Sequence, residues 1–190
     1  MRIIAGRHKG KRLASVGKGD AGAHLRPTTD RVRESLFNLL VNGGYGDPVT
    51  GARVLDLFAG TGALGLEALS RGAAFAAFVD DGRTAQALLR ENVALCAAAD
   101  DSRLFRRDAT RLDAVQLPPF DLVFLDPPYG KGLGEKALRA AMAGGWLAAG
   151  ALIVWEEGAP PIPPAGCEVL DQRRYGDTLV TILRQARALR

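Results

Sequence analysis

Apolar positions in this chain follow two periods. After Thr28-Thr29-Asp30, an N-cap with a first-turn acid, Val32, Leu36, Leu39 and Leu40 recur at helical spacing until Gly43-Gly44. This predicts one amphipathic helix. From residue 53 the pattern changes to strands alternating with helices: strands over 53–58, 74–79, 104–106, 122–125 and 151–156, helices over 62–70, 83–98 and 135–143. Two last strands, 167–174 and 178–183, lie so close around Tyr175-Gly176-Asp177 that they should pair antiparallel. Val54-Leu55 and Leu122-Val123-Phe124-Leu125 are apolar on both faces, as buried parallel strands are. Near the start, 2–5 and 11–14 predict a small basic hairpin around His8-Lys9-Gly10, and the glycine-rich 15–24 predicts a loop. The expected fold is α/β, a doubly wound, mostly parallel sheet. Its ligand site should lie beyond the carboxyl ends of the strands, where the loops after Phe58, Val79, Arg107 and Leu125 converge.

Length refines this picture. At 190 residues the chain fits one ordinary domain with a small appendage, and the pattern divides it into a basic extension over 1–45 and an α/β body over 46–190. No apolar run approaches the roughly 18–20 residues of a spanning helix, and the start lacks the apolar stretch of a signal peptide, so a cytoplasmic protein is expected. Cys96 and Cys167 sit among apolar neighbours and read as structural thiols, with no metal site. Pro160-Pro161-Ile162-Pro163-Pro164 reads as a stiff surface connector.

Charge is unevenly divided. Residues 1–33 hold nine basic side chains against two acidic ones, a net of +7, so the remainder carries −3 of the chain's +4. A concentrated basic segment ahead of a mildly acidic body points to a polyanion, with nucleic acid the leading partner. Arg7, Lys9, Lys11, Arg12, Arg26, Arg31 and Arg33 are the candidate phosphate contacts.

Two motifs can carry chemistry. The first, Val54-Leu55-Asp56-Leu57-Phe58-Ala59-Gly60-Thr61-Gly62-Ala63-Leu64-Gly65, is a strand, a glycine turn and a helix start. Gly60 and Gly62 let the backbone pass close to a ligand, beside Phe58 and Ala59. A nicotinamide dehydrogenase would share the glycines, but Asp56 late in the strand would repel a pyrophosphate while receiving an amino-acid ammonium, as adenosylmethionine carries. Asp80, about 20 residues after the turn, or its neighbour Asp81, could accept from ribose hydroxyls. Asp108-Ala109 could bind an adenine.

The second motif, Asp126-Pro127-Pro128-Tyr129, directly follows an apolar strand. Its prolines hold the local carbonyls in rigid directions. The exocyclic amine of a base is a poor nucleophile while its lone pair is delocalised into the ring. An Asp126 carboxylate and the Pro127 carbonyl, each accepting one amine hydrogen, would draw that nitrogen toward a tetrahedral form aimed at a sulfonium methyl. Tyr129 would stack on the base, and no cysteine nucleophile is needed.

These two motifs, in this order and spacing, resemble motifs I and IV of class I adenosylmethionine-dependent methyltransferases acting on exocyclic amines. With Arg26-Pro27-Thr28-Thr29-Asp30-Arg31-Val32-Arg33-Glu34-Ser35-Leu36-Phe37-Asn38, the opening Arg2-Ile3-Ile4-Ala5-Gly6 and the late Tyr175-Gly176-Asp177-Thr178, the chain resembles the RsmD family end to end. The resemblance implies a seven-stranded class I methyltransferase sheet with an N-terminal basic extension and S-adenosyl-L-methionine as methyl donor. It implies as reaction methylation of a guanine N2 amine in 16S ribosomal RNA, as a (guanine(966)-N(2))-methyltransferase does, within an assembling small subunit; a monomer is the simplest form. By position it places Asp56, Gly60 and Gly62 at the methionine end, Asp80 at the ribose, Asp108 and Ala109 at the adenine and Asp126, Pro127, Pro128 and Tyr129 at the reacting base. Glutamate is common in the family where Asp80 stands. Three other readings compete: an adenine or cytosine DNA methyltransferase, an NAD-dependent oxidoreductase built on the glycine turn, and a noncatalytic RNA-binding module.

Overall fold

The computed structural model describes residues 1–16 and 28–186. Helix α1 (Asp30–Asn42) begins where the pattern predicts: the Thr29 hydroxyl accepts from the Val32 amide at 3.2 Å, and Gly43 ends the helix. There follow β1 (Arg53–Leu57), α2 (Ala63–Ser70), β2 (Phe75–Val79), α3 (Arg83–Leu95), β3 (Ser102–Phe105), a 3-10 turn (Ala109–Arg111), β4 (Phe120–Leu125), α4 (Leu133–Ala143), β5 (Leu147–Glu157), β6 (Cys167–Tyr175) and β7 (Thr178–Gln185).

These strands form one seven-stranded sheet in the order β3-β2-β1-β4-β5-β7-β6. β1 to β5 are parallel to their neighbours, whereas β7 runs antiparallel to both β5 and β6. The close-coupled final pair is antiparallel as expected; its periodicity did not show that β7 inserts between β5 and β6.

Each face of the sheet carries its own core. On one face Val54, Phe124 and Val154 meet Leu36 and Leu40 of α1, Leu66 of α2 and Leu89 of α3. On the other, Leu55, Val123, Ile153 and Trp155 meet Leu138 of α4 and Trp146. Two-sided burial explains the apolar runs in β1 and β4. The helices therefore change side between β1 and β4, which makes that pair the topological switch point. Among the described residues no helix is long and apolar enough to cross a membrane.

The N-terminal hairpin joins the first of these cores through Ile3 and Leu13. Its two expected strands reduce to a single bridge, Arg2↔Arg12, with Ile3 donating to the Lys11 carbonyl at 2.9 Å. What holds it is the end of α2. Fully buried Glu67 accepts from the amides of Ile4 (2.8 Å) and Ala5 (3.1 Å), and the Ser70 carbonyl accepts from Arg7 at 2.8 Å. The approach is so close that a Cβ on Gly6 would lie 1.8 Å from the Ser70 oxygen.

Several boundaries move for local reasons. α3 stops at Leu95 rather than at 98, because Ala97 turns left-handed (φ 47°) and Ala98 donates back to Val93. α4 starts at Leu133, behind a left-handed Gly132, and β5 starts at Leu147, before an irregularity in its pairing with β4.

Candidate active site

The register of the sheet brings three acids to one edge. Asp56 faces Phe124 across β1 and β4, and Leu125 faces Leu57 and Trp155, so Asp126 lies level with Phe58 and Glu156. Side chains two apart on a strand share a face. Asp56, Asp126 and Glu156 thus point to the side covered by α1 and α2, at the carboxyl end of the sheet. There they border a cavity of about 1150 Å³.

One half of this cavity is built by the turn after β1 and the exit of β2. Phe58 takes a left-handed φ of 58° and Gly60 and Gly62 take 56° and 78°, which curls the chain back to start α2. For Phe58 that conformation costs about 1–2 kcal/mol, which the surrounding fold must hold in place. The Asp80 carboxylate accepts from the Gly60 amide at 2.9 Å with one oxygen and from Gly82 at 2.8 Å with the other, joining the two loops. Fully buried Asn92 grips the turn from the far side, donating to the Thr61 carbonyl at 2.8 Å. Asp81 also lines the cavity, and is exposed.

The other half is lined by Thr28, Thr29, Arg31, Val32 and Ser35 at the start of α1, by Asp126, Pro127, Pro128 and Tyr129, by Glu156, and by the β6–β7 turn from Tyr175 to Thr178. The Tyr129 and Thr178 hydroxyls meet at 3.0 Å. Burial pushes the Tyr129 phenol up to about 12, so it stays neutral. Glu157 supports this wall from behind, its carboxylate accepting from the amides of Gly130 and Gly158 at 3.0 Å each.

The acids at this edge hold their protons more tightly than ordinary carboxyls. Burial pushes the Asp56 carboxyl well above the usual range, and Asp80 and Glu156 add repulsion against one opposing bond, from the Gly65 amide at 3.0 Å. Asp126 is raised well above its ordinary value by burial and then by Glu156, Asp56 and Glu157. Glu156, pushed up to about 7 by burial, is countered by the Thr28 hydroxyl (3.1 Å) and by Arg33. Its Oε1 has no hydrogen-bond partner among the described residues. Any cation bound beside these groups would stabilise their ionised forms.

Not every candidate residue arrives here. Asp108 caps the 3-10 turn, accepting from the Thr110 amide at 2.8 Å, and neither it nor Ala109 lines the cavity. Arg33 is a correction: it is fully buried, donates to the Arg2 carbonyl at 2.7 Å and pairs with Asp30 and Glu67, so it cannot reach a phosphate. The +3 spacing from Asp30 that put it on the inner face of α1 was visible, but its partner Glu67 lay 34 residues away. Arg7, Lys9 and Lys11 are exposed, on the hairpin tip that packs at the far end of α2. Arg7 pairs with Asp101 at 3.2 Å and Lys11 donates to the Leu95 carbonyl at 2.6 Å, beyond the far ends of α2 and α3. The eight residues of α2 alone put about 12 Å between that tip and the glycine turn. Arg12 is exposed and lies outside the cavity lining, Arg26 lies outside the described residues, and of the six described candidates Arg31 lines the cavity. Glu156 and Glu157 escaped the sequence reading, although an acid closing an apolar strand, as after β2 and β4, was the available signal.

A glycine turn after β1 and a proline-stiffened acid after β4 face one cavity at the switch point of this sheet, and an antiparallel last strand completes it: the chain is a class I methyltransferase. Residues 1–184 match the model of the family described as Conserved hypothetical protein 95, and the chain belongs to that family, the RsmD-type methyltransferases. It is 40% identical over 167 residues to ribosomal RNA small subunit methyltransferase D of Escherichia coli strain K12, covering 86% of this chain and 79% of that one. The protein of the same name from Haemophilus influenzae is 34% identical over 183 residues, with 93% and 89% covered. The solved structure of yhhF from Escherichia coli matches with a TM-score of 0.80 at 36% identity over 98% of each chain.

Proposed function

We propose that this enzyme transfers a methyl group from S-adenosyl-L-methionine to the exocyclic N2 amine of a guanine in small-subunit ribosomal RNA. The observation that carries the reading is the meeting of the glycine turn and the Asp126–Tyr129 wall in one cavity. The names of the relatives supply the RNA. The donor set fits the methyl donor: buried Asp56 and Glu156 and partly buried Asp126 suit a ligand with an ammonium and a sulfonium, and about 1150 Å³ leaves room for a base beside it.

When bound, the donor supplies an electrophilic methyl on a sulfonium. Asp56 holds the ammonium end, directly or through water, with Gly60 and Gly62 at the methionine portion. Asp80, half-buried and already committed to two amides, offers its remaining lone pairs to the ribose, with Asp81 next to it. Residues 82–85 close the adenine end in place of Asp108 and Ala109. On the facing wall Asp126 and the Pro127 carbonyl each accept one hydrogen of the amine, bending it out of conjugation; Tyr129 stacks on the ring, and Pro128 keeps the wall rigid. Methyl transfer leaves the amine one proton too many. The Asp126 carboxylate accepts it at Oδ, next to a Glu156 carboxyl that titrates near neutrality. Arg31 at the mouth meets a phosphate of the strand that carries the base, in RNA of an assembling subunit, with the enzyme acting as a monomer.

Incubation of methyl-labelled donor with small-subunit particles, followed by digestion to nucleosides, tests this. The expected product is N2-methylguanosine, absent with Asp126→Ala. Label in another nucleoside, or on DNA rather than RNA, overturns it.

A further inference from the structure

An acidic pincer for an amine does not by itself select a base. Guanine N2, adenine N6 and cytosine N4 each present two hydrogens that Asp126 and the Pro127 carbonyl accept equally well. They differ in the neighbouring ring nitrogen, which carries a hydrogen in guanine N1 and a lone pair in adenine N1 and cytosine N3. A flipped base is read along this Watson–Crick edge. Guanine selection therefore calls for a second acceptor beside the pincer.

Apart from Asp126, two carboxylates line that half of the cavity, Glu156 and Asp177. Glu156 is sealed: the residue is 2% exposed, its Oε1 has no accessible surface and its Oε2 takes the Thr28 hydroxyl. Asp177 is the opposite. It is exposed, sits at the tip of the β6–β7 turn, and has no ion pair among the described residues. The turn is also held against the reacting wall. Thr178, the next residue, meets the Tyr129 hydroxyl at 3.0 Å, and Gly176 supplies the left-handed corner (φ 61°) that brings the tip over the cavity. Asp177 thus lines the same cavity as the Tyr129 ring on which the base would stack.

We propose that Asp177 determines base specificity, its carboxylate accepting the N1 hydrogen of the guanine held by Asp126 and Pro127. This rests on the guanine reading above. Toward adenine or cytosine the same carboxylate opposes a lone pair, so the turn rejects as well as selects.

A short RNA with either guanine or 2-aminopurine at the methylated position tests the assignment, because 2-aminopurine keeps the 2-amino group and lacks the N1 hydrogen. Asp177→Ala should lower kcat/KM on guanine by about 10- to 100-fold, the range for one hydrogen bond to a charged acceptor, and raise that on 2-aminopurine, whose N1 lone pair the carboxylate opposes. Asp177→Asn, which keeps an oxygen acceptor, should recover part of the loss. An equal fall on both bases, as from a merely structural turn, overturns the assignment, and so does no fall on either. A parent enzyme that leaves guanine unmethylated while labelling another base is a separate outcome: it removes the guanine reading itself, and Asp177 with it.

Discussion

Buried Glu67 and the cavity acids Asp56, Asp126 and Glu156 lie on the same face of the sheet, and they are neutralised very differently. Glu67 collects two backbone amides, the Arg71 guanidinium at 2.8 Å and the Arg33 guanidinium at 3.7 Å. Its charge is answered by the fold itself. Among the described residues, Asp56, Asp126 and Glu156 share a cavity edge with one amide, one hydroxyl and no guanidinium in direct contact. The first group is a clamp, in which burying charge ties the N-terminal hairpin to α2. The second is a site whose carboxyls find few opposite charges among the described residues and so suit a cationic ligand. Buried charge of the same kind thus serves either stability or binding, according to whether the fold itself completes its shell.

The comparison can be broken by substitution. The largest expected effect is on chemistry: Asp126→Ala should cut methyl transfer about 100- to 1000-fold in single-turnover assays while calorimetry still finds the methyl donor bound. Next is stability. Glu67→Ala leaves Arg33 buried without its full complement and should cost about 3–5 kcal/mol in denaturant unfolding, whereas Asp126→Asn, which removes an under-neutralised charge, should cost nothing or stabilise. Equal losses in both would abolish the distinction.

Glu156→Gln sharpens it through pH. The Glu156 carboxyl titrates near 7 when folded, above its unfolded value, so the folded state holds the extra proton and stability falls as pH rises between the two values. The glutamine variant, freed of that penalty, should gain melting temperature over the parent at pH 8 and not at pH 4. Tyr129→Ala should weaken base engagement by roughly 1–3 kcal/mol, seen in KM for RNA, and Tyr129→Phe by less, since the ring remains. Smallest is the effect of position among exposed cations: Arg31→Gln should reduce the salt dependence of RNA binding more than Arg7→Gln, which lies at the far end of α2.

How much of this was legible beforehand varies by residue. Asp56, Gly60, Gly62, Asp80 and Asp126 to Tyr129 were legible because each terminates or follows an apolar strand, and parallel strands deliver their carboxyl ends to one edge. Asp108 satisfied the same rule yet turned aside to cap its own turn, a local competition that spacing does not reveal. The basic residues read worst. Charge says that a side chain prefers water or an opposite charge; it does not say which end of the molecule a hairpin docks against. Glu67 and Ser70 decide that, from more than 60 residues away.

The order of apolar and polar positions by itself determined the α/β class, the α1 cap, the parallel core strands and the two chemical motifs, because these depend on contacts within a few residues or on periodicity alone. The tertiary structure alone decided that β7 enters between β5 and β6, that Arg33 goes inward while Arg31 faces the cavity, and that Glu156 and Asp177 join the wall opposite the glycine turn. Those outcomes depend on pairings between distant segments, whose free energy is set by packing and desolvation once the chain has closed on itself.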